Sequence, residues 1–368
     1  MSVWQATAAR ARSTHHMLPA SSDNLALYSG RDRDWHDAVM ERCPSLRGGF
    51  EPSFWVRNTH VQSVLTVVRG DGARPLEWDI EERLTMPDGG TVSIQWLGLG
   101  ATEETPVLVL LHTITGSGDG LRRFIADIRE RLGWVVAACN RRGHAGLELT
   151  APRINTMGAT HDLRCQLLAI ESRRPAAALY GVGVSAGSGL LVRYLGEEGE
   201  SARFRAAVAL CPAYDLREAF RYAHRAYDRY LTRKMVEFFL RRNSEALSHI
   251  DGYDDCAAAK TMVDFHDRLY PLAGFETREA FYLASNPMEV ARDVTVPVLV
   301  INAADDPVCV ERNVRRHLGE MQQLSRMTLA ITRRGGHCGF FEGLRTTDSW
   351  ADRAIAEYLN AVHRMRAG

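Results

Sequence analysis

The chain has 368 residues, with 45 basic and 45 acidic side chains, so its formal net charge is zero. A chain of this length can bury a large core, and zero net charge disfavours a nucleic-acid partner held by a broad positive field. The seven cysteines are scattered without a C-x-x-C motif, which predicts neither a disulfide framework nor a zinc site. Cys139, Cys211 and Cys309 adjoin apolar runs and are expected to be buried as small hydrophobes.

The N-terminal segment is predicted to lie outside the catalytic unit. Residues 1–22 contain no acidic residue and include Arg10 and Arg12, a weak likeness to an organelle transit peptide. We expect residues 1–50 to be a tail and lead-in, partly disordered, of a cytoplasmic protein, with organelle import as the alternative. No window has the length and apolarity of a membrane span, although peripheral membrane contact and the oligomeric state stay open.

From residue 51 onwards the chain is predicted to form one α/β domain. Residues 82–96 have the pattern of a hairpin turning at 87–90, and a strand over 107–111 follows. An amphipathic stretch over 121–132, a strand over 134–139 and a helix over 161–172 come next. This alternation predicts a mostly parallel sheet with helices on both faces.

A serine in a tight turn is the most informative motif. The run from Gly183 to Gly187 reads Gly-Val-Ser-Ala-Gly between an apolar strand and a helix-like stretch. This order is typical of a nucleophile elbow, in which the glycines make room for a sharp turn. Ser185 is therefore the candidate nucleophile, the alternative being a glycine-rich turn with an ordinary helix-capping serine.

A serine hydroxyl needs a base to take its proton and an acid to orient that base. His337 follows a late strand on a glycine-flanked loop, and Asp305 and Asp306 follow the strand over 298–302. Strand ends are where open α/β sheets place their sites. Because adjacent residues of an extended segment point to opposite sides, only one aspartate can meet the histidine. We choose Asp306, directly before a proline, and expect Asp305 to shape the turn by local hydrogen bonds.

Two further features complete the predicted site. The backbone amides of Ile114 and Ala186 are the candidate oxyanion donors, because they follow the early strand and the nucleophile. Thr113 stands before Ile114 and restricts the backbone there. Residues 214–290 have long helical stretches rich in arginine and aromatic residues, which predict a helical cap inserted into a domain of residues 51–368.

With these residues placed, the chain resembles the α/β-hydrolase superfamily, and within it AB hydrolase family 4, the embryogenesis-associated group of acylglycerol lipases, phospholipases and esterases. The resemblance implies Ser185, Asp306 and His337 as the triad, ester substrates with a lipid-like or medium-length acyl chain, and no cofactor. Thr113 and Ser188 depart from it, since glycine is common at both positions. The motifs that carry it are Asn58 to Ser63, Pro87 to Gly89 with Trp96, Asn140 to Gly143, Gly183 to Gly187 with Tyr194 to Glu197, Gly274-Phe275 with Tyr282 and Ser285, Ala304 to Pro307, and Gly336 to Phe340.

The sequence therefore predicts a serine carboxylic-ester hydrolase that acts on medium- or long-chain acyl esters such as acylglycerols. Its partner is a small-molecule or lipid ester, and no metal is expected. An acyltransferase that passes the acyl group to an alcohol is one alternative. A non-catalytic binding protein on the same scaffold is the other.

Overall fold

A computed structural model describes residues 17–18, 24–72, 74–343 and 348–367. The segment considered as a transit peptide, apart from residues 17–18, lies outside the described residues. The strands are β1 Met17–Leu18, β2 Leu25–Ser29, β3 Ile80–Thr85, β4 Thr91–Leu97, β5 Val107–Leu111, β6 Val135–Asn140, β7 Leu179–Val184, β8 Phe204–Leu210, β9 Val298–Ala303, β10 Met327–Thr332, β11 Phe341–Glu342 and β12 Asp348–Ser349. The α-helices are α1 Arg33–Glu41, α2 Pro44–Gly48, α3 Thr59–Gly72, α4 Arg122–Leu132, α5 Thr160–Arg173, α6 Ala186–Glu198, α7 Leu216–Tyr222, α8 Arg225–Met235, α9 Ser244–Leu247, α10 Tyr253–Ala257, α11 Met262–Arg268, α12 Arg278–Ser285, α13 Glu311–Met321 and α14 Trp350–Ala367.

The central sheet joins ten of the described strands in the order β1-β2-β10-β9-β8-β7-β5-β6-β4-β3. The six central strands, from β10 to β6 in this order, are parallel to one another. At the edges, β4 pairs antiparallel with β6 and β3, and β2 pairs antiparallel with β10 and β1. The predicted hairpin over 82–96 is formed by β3 and β4, which pair Ile80 with Trp96 and Thr85 with Thr91. The predicted α/β class is thus confirmed.

Alternate side chains of the strands enter two separate cores, one on each face of the sheet. Leu108 and Leu110 of β5 pack in one core with residues of α4 and α14. Val107 and Val109 pack in the other core with residues of α5, α6 and α13. Because successive strand residues point to opposite faces, a continuous apolar run such as β5 is what a sheet covered on both sides requires.

The lead-in before residue 51 contributes to the domain, which the sequence did not indicate. All five residues of β2 are buried, and β2 pairs antiparallel with β10, from Leu25 opposite Thr332 to Ser29 opposite Thr328. Trp350 at the start of α14 donates its indole N–H to the carbonyl oxygen of Ser45 in α2, over 3.0 Å. Pairing with β2 also covers the backbone groups that β10 would otherwise leave open at the sheet edge.

Residues 214–290 form several short helices rather than the long ones that the sequence indicated. α7 to α12 have 4 to 11 residues each, and α8 runs on into a π-helical turn, Val236–Leu240. Their apolar side chains form a third core that includes Ala186 of the elbow and packs against Ile114. The segment therefore lies over the carboxyl ends of β5 and β7.

Among the described helices, none combines the length and apolarity needed to cross a membrane.

Candidate active site

Ser185 occupies a strained turn between β7 and α6. Its backbone has φ 54° and ψ −117°, in a region that side-chain-bearing residues rarely adopt. A Cβ on Gly183 would lie 2.5 Å from the carbonyl oxygen of Gly187, and a Cβ on Gly187 would lie 2.1 Å from that of Leu111. The Ser185 amide donates to the carbonyl oxygen of Leu210 over 2.8 Å. Both glycines are thus required by close backbone contacts, as in a nucleophile elbow.

Ser188, one of the two departures from the resembled family, fits into the elbow itself. Its hydroxyl lies 2.7 Å from the carbonyl oxygen of Ser185 and 2.9 Å from that of Leu210. The side chain is completely buried, so these carbonyls supply the acceptor that a buried hydroxyl needs. The serine therefore adds a hydrogen bond between the elbow and β8 without entering the space in front of Ser185.

The three predicted triad side chains form one hydrogen-bonded chain. His337 Nε2 lies 2.9 Å from Ser185 Oγ, and His337 Nδ1 lies 2.8 Å from Asp306 Oδ2. The second carboxylate oxygen, Oδ1, accepts the amides of Val308 and Cys309 over 2.7 and 2.8 Å. The Asp306 side chain is fully buried, whereas that of His337 keeps 18% exposure. The carboxylate thus fixes the Nδ1–H tautomer, which leaves the Nε2 lone pair facing the serine hydroxyl.

Charge around His337 favours its protonated form. Burial alone lowers the pKa of the imidazole, but the negative charges of Asp306 and Cys338 raise it and prevail, so that the pKa lies well above that of free histidine. The same negative charges stabilise the imidazolium that forms when His337 takes the Ser185 proton.

Asp305 does not contact His337 and instead holds the loop that carries it. Its Oδ1 accepts the Gly336 amide over 2.9 Å, and its carbonyl oxygen accepts the Thr59 hydroxyl over 2.7 Å. Burial, together with the charge of Asp306, raises the pKa of Asp305 to about 6, against the Gly336 hydrogen bond, which lowers it. The two adjacent aspartates thus have different partners: Asp306 meets the ring of His337, and Asp305 accepts a hydrogen bond from the loop that carries this histidine.

The first turns of α3 also anchor the histidine loop, a role that sequence reasoning missed. The His337 amide donates to Ser63 Oγ over 3.0 Å, and the Ser63 hydroxyl donates to the Thr59 carbonyl oxygen over 2.9 Å. The Phe341 amide donates to Gln62 Oε1 over 2.9 Å. In the sequence, the importance of this segment was indicated only by the motif from Asn58 to Ser63. This motif is one of those on which the family resemblance rests, and no function was predicted for its residues.

The loop after β5 carries Ile114, a candidate oxyanion donor, and is fixed from behind by Arg141. Nη2 of Arg141 donates to the carbonyl oxygens of Thr113 and Ile114 over 2.5 and 3.2 Å. In a trans peptide the N–H points opposite to the C=O. Since the Thr113 carbonyl faces Arg141, the Ile114 N–H of the same peptide points away from it. The other candidate donor, Ala186, is the first residue of α6, and its amide lacks an intrahelical acceptor.

Two buried histidines complete the support of this loop. The Arg141 amide donates to His112 Nε2 over 3.3 Å, and His112 Nδ1 lies 2.9 Å from the Thr113 carbonyl oxygen and 3.2 Å from Arg141 Nη2. His144 Nε2 lies 3.0 Å from the Ile114 carbonyl oxygen. Burial, with the nearby Arg141 charge, lowers the pKa of His112 well below its usual value and that of His144 to about 3. Burial lowers the pKa of Arg141 to about 10, so at neutral pH the arginine is charged and both rings are neutral.

A small apolar cavity lies between the helices of residues 214–290 (the cap segment) and the loop of residues 112–116 after β5 (the oxyanion loop). Its volume is about 20 Å³, room for roughly one water molecule. Residues of the loop, of the segment before α5 and of the cap line it, namely Ile114, Arg141, Ile154, Asn155, Thr156, Met157, Phe239, Phe265, His266, Leu269 and Phe281. The ring of His144 lies 4.7 Å from that of Phe238, centroid to centroid, so the cap also contacts the support of the oxyanion loop.

Three of the seven cysteines surround the triad, although they are far apart in the sequence. Cys211 follows β8, Cys309 follows the Asp306 loop, and Cys338 is next to His337; Cys211 and Cys309 are buried, as predicted. The Cys338 amide donates to Cys211 Sγ over 3.4 Å. A hydrogen bond with Cys211 lowers the pKa of Cys338 to about 6, although burial acts against it. Burial raises the pKa of Cys309 to about 11.

Known proteins of similar sequence share most of the length of this chain. The embryogenesis-associated protein EMB8 of Picea glauca is 27% identical over 91% of this chain and 76% of its own length. The phospholipase ABHD3 of Bos taurus is 25% identical, with 88% of this chain and 81% of that protein covered. The monoacylglycerol lipase ABHD2 of Danio rerio is 26% identical, with 88% and 82% covered.

Solved structures and a family model agree with the observed fold. The esterase Pf2001 of Pyrococcus furiosus superposes with a TM-score of 0.52 at 15% identity and covers 78% of this chain and 91% of its own, which shows the fold alone. Residues 102–343 match the family model Hydrolase_4, described as serine aminopeptidase, S33. This match spans most of the chain, including the elbow, both aspartates and His337. The chain therefore belongs to the Hydrolase_4 family of α/β hydrolases.

Proposed function

We propose that the protein is a serine carboxylic-ester hydrolase for medium- or long-chain acyl esters such as acylglycerols. The observation that carries the proposal is the chain from Asp306 through His337 to Ser185, with hydrogen bonds of 2.8 and 2.9 Å. Its geometry suits nucleophilic catalysis, because each group meets the next with the tautomer that proton transfer requires.

The reaction follows from these positions. His337 Nε2 takes the Ser185 proton while Oγ attacks the ester carbonyl carbon, and the resulting oxyanion accepts the amides of Ile114 and Ala186. The protonated histidine then gives its proton to the leaving alcohol, which leaves the acyl group on Ser185. Water, deprotonated by the same histidine, attacks the acyl-enzyme; the bond to Ser185 Oγ then breaks, His337 returns its proton to Oγ, and the carboxylic acid is released. Asp306 stays ionised and balances the charge of the imidazolium.

The cap segment supports an apolar acyl group. Phe239, Phe265 and Phe281 line the cavity next to Ile114, together with Met157. The relatives named as a monoacylglycerol lipase and a phospholipase favour the same substrate class. This cavity has about 20 Å³, far less than the roughly 300 to 1,000 Å³ of pockets for drug-sized ligands, so an acyl chain would enter here only with movement of residues 214–290.

The deciding experiment is labelling with a fluorophosphonate probe, followed by turnover of nitrophenyl esters of increasing acyl length. We expect the wild type and the Ser248→Ala control, which alters an exposed serine of the cap, to be labelled and active. Ser185→Ala should be neither. Wild-type protein that is not labelled, or labelling that persists in Ser185→Ala, would contradict the proposal and favour a non-catalytic binding protein.

Product analysis in the presence of an alcohol or a diacylglycerol tests the acyltransferase alternative, since only a transferase forms new ester at a rate that competes with hydrolysis.

A cytoplasmic location is part of the proposal, and microscopy of a fusion that leaves residues 1–22 free would test it against organelle import.

A further inference from the structure

Ester hydrolysis uses no thiol, yet three thiols surround His337. Two of them, on Cys211 and Cys338, come from the end of β8 and from the histidine loop, and the Cys338 amide donates to Cys211 Sγ over 3.4 Å. Cys211 is completely buried, whereas His337 and Cys338 are partly exposed. Two of the three residues of this group are therefore accessible to solvent.

The geometry of the group fits a soft metal ion. One atom from each residue, the sulfur of Cys211, a ring nitrogen of His337 and the sulfur of Cys338, all lie within 4.8 Å of one another. In a tetrahedral zinc site, with Zn–S about 2.3 Å and Zn–N about 2.0 Å, sulfur and nitrogen ligands are about 3.5 Å apart and two sulfur ligands about 3.8 Å apart. The ligand atoms, now within 4.8 Å of one another, would reach these distances if the side chains moved closer together by about 1 Å. Two thiolates and an imidazole are typical ligands of Zn²⁺ and are not those that Mg²⁺ or Ca²⁺ prefer.

We propose that Cys211, His337 and Cys338 form an inhibitory site for a thiophilic divalent cation such as Zn²⁺. Both ring nitrogens of His337 already have partners, Nδ1 with Asp306 and Nε2 with Ser185. An ion that binds either nitrogen displaces one of these partners. Metal binding and proton transfer at Ser185 therefore exclude each other, whichever nitrogen the ion takes.

A second group, Asp306, Cys309 and His337, also lies within 4.8 Å, but its chemistry is less suitable. Its carboxylate is held by two backbone amides at Oδ1 and by His337 at Oδ2. That group offers an ion one sulfur ligand in place of two, and an ion there would displace hydrogen bonds of the Asp306 carboxylate as well as a partner of His337. The assignment to Cys211 and Cys338 thus separates the roles of the three thiols, and Cys309 provides a matched control.

Metal binding is tested on the full chain by titration with Cd²⁺, with detection of the thiolate-to-cadmium charge-transfer absorption. We expect a band that saturates near one equivalent and is lost in Cys211→Ser and in Cys338→Ser. It should persist in Cys309→Ser and in Cys165→Ser, which alters a partly exposed thiol outside the group. Thermal unfolding of each variant shows whether it folds; if Cys211→Ser does not, the partly exposed Cys338 carries the test alone.

Inhibition is tested by nitrophenyl-ester turnover with increasing Zn²⁺, and this part rests on the proposed function. We expect inhibition that a chelator reverses. Cys338→Ser should need at least about 100-fold more Zn²⁺, because even outer-shell partners of a metal contribute 10- to 100-fold to its affinity. A band without inhibition, no band in the wild type, or a band lost only in Cys309→Ser would overturn the proposal. A Cd²⁺ band in a protein without esterase activity would support the metal site and would refute the proposed function alone.

Discussion

Two adjacent buried arginines should have separable effects, one on the rate of ester hydrolysis and the other on the stability of the fold. Arg141 donates to the carbonyl oxygens of Thr113 and Ile114 behind the proposed oxyanion hole. Arg142 forms ion pairs with Asp88 and Asp162, over 2.6 and 2.7 Å. Replacement of each by methionine keeps an unbranched side chain of similar length and removes the donors.

In Arg141→Met we expect kcat/KM to fall by about 100-fold. Removal of one oxyanion donor lowers kcat by about 10² to 10³, or about 2.7 to 4 kcal/mol. Here the Ile114 amide is misoriented rather than removed and the Ala186 amide remains, so the loss should lie at the lower end of that range. The loss should be in kcat, with KM changed less than about threefold, because the oxyanion forms after the substrate binds.

In Arg142→Met we expect the opposite pattern. The change leaves Asp162, whose side chain is only 7% exposed, without its ion pair, and breaking a buried pair typically lowers stability by about 3 to 5 kcal/mol. Below the unfolding transition, kcat should stay within about threefold of wild type, since Arg142 does not contact the oxyanion loop.

The assay is nitrophenyl-ester turnover at a temperature where both variants are folded, with urea unfolding measured in parallel. Unchanged kcat in Arg141→Met would refute the view that this arginine orients the Ile114 amide. Equal losses of kcat in the two variants would refute it too, because the effect would then come from a general disturbance of the fold.

Other consequences can be measured in the same way. Asp306→Asn should lower kcat by about 10⁴-fold, as loss of the triad carboxylate does in serine proteases. Asp305→Asn should lower kcat less than about tenfold, because its side-chain oxygen can still accept the Gly336 amide. Equal losses of kcat in the two variants would contradict the assignment of Asp306 as the acid. Gly187→Ala should unfold the elbow or abolish probe labelling, because its Cβ would lie 2.1 Å from the carbonyl oxygen at the end of β5; an active, labelled variant would show that this contact relaxes. Burial lowers the pKa of His36 and of His266 to about 4. Below pH 6.5 these histidines therefore bind protons in the unfolded chain but not in the folded chain. The free energy of unfolding should thus decrease as the pH falls from about 6.5 to about 4. From pH 7 to pH 5 the wild type should lose about 2 kcal/mol more unfolding free energy than His36→Gln, and identical pH dependence of the two proteins in urea unfolding would refute this.

Short-range patterns account for what could be predicted of the fold. The apolar runs of β5 to β10 alternate along the chain with helical stretches, so the α/β class follows from the sequence. β2 was missed because five residues of a lead-in give little signal when the partner strand, β10, lies about 300 residues later. The cap helices came out shorter than indicated, since Gly252, Pro271 and Gly274 interrupt the segment.

The sequence by itself determined the elbow and the order of serine, acid and histidine, because these depend on residue types at strand ends that a parallel sheet brings to one edge. Only the tertiary structure decided which other groups surround them. It placed Ser63 on the His337 amide, Arg141 behind Thr113, and Cys211 beside Cys338. Such contacts join segments tens to hundreds of residues apart. The periodicity of apolar residues in the sequence does not predict them, because each contact depends on packing across the edge of the sheet and not on neighbours in the chain.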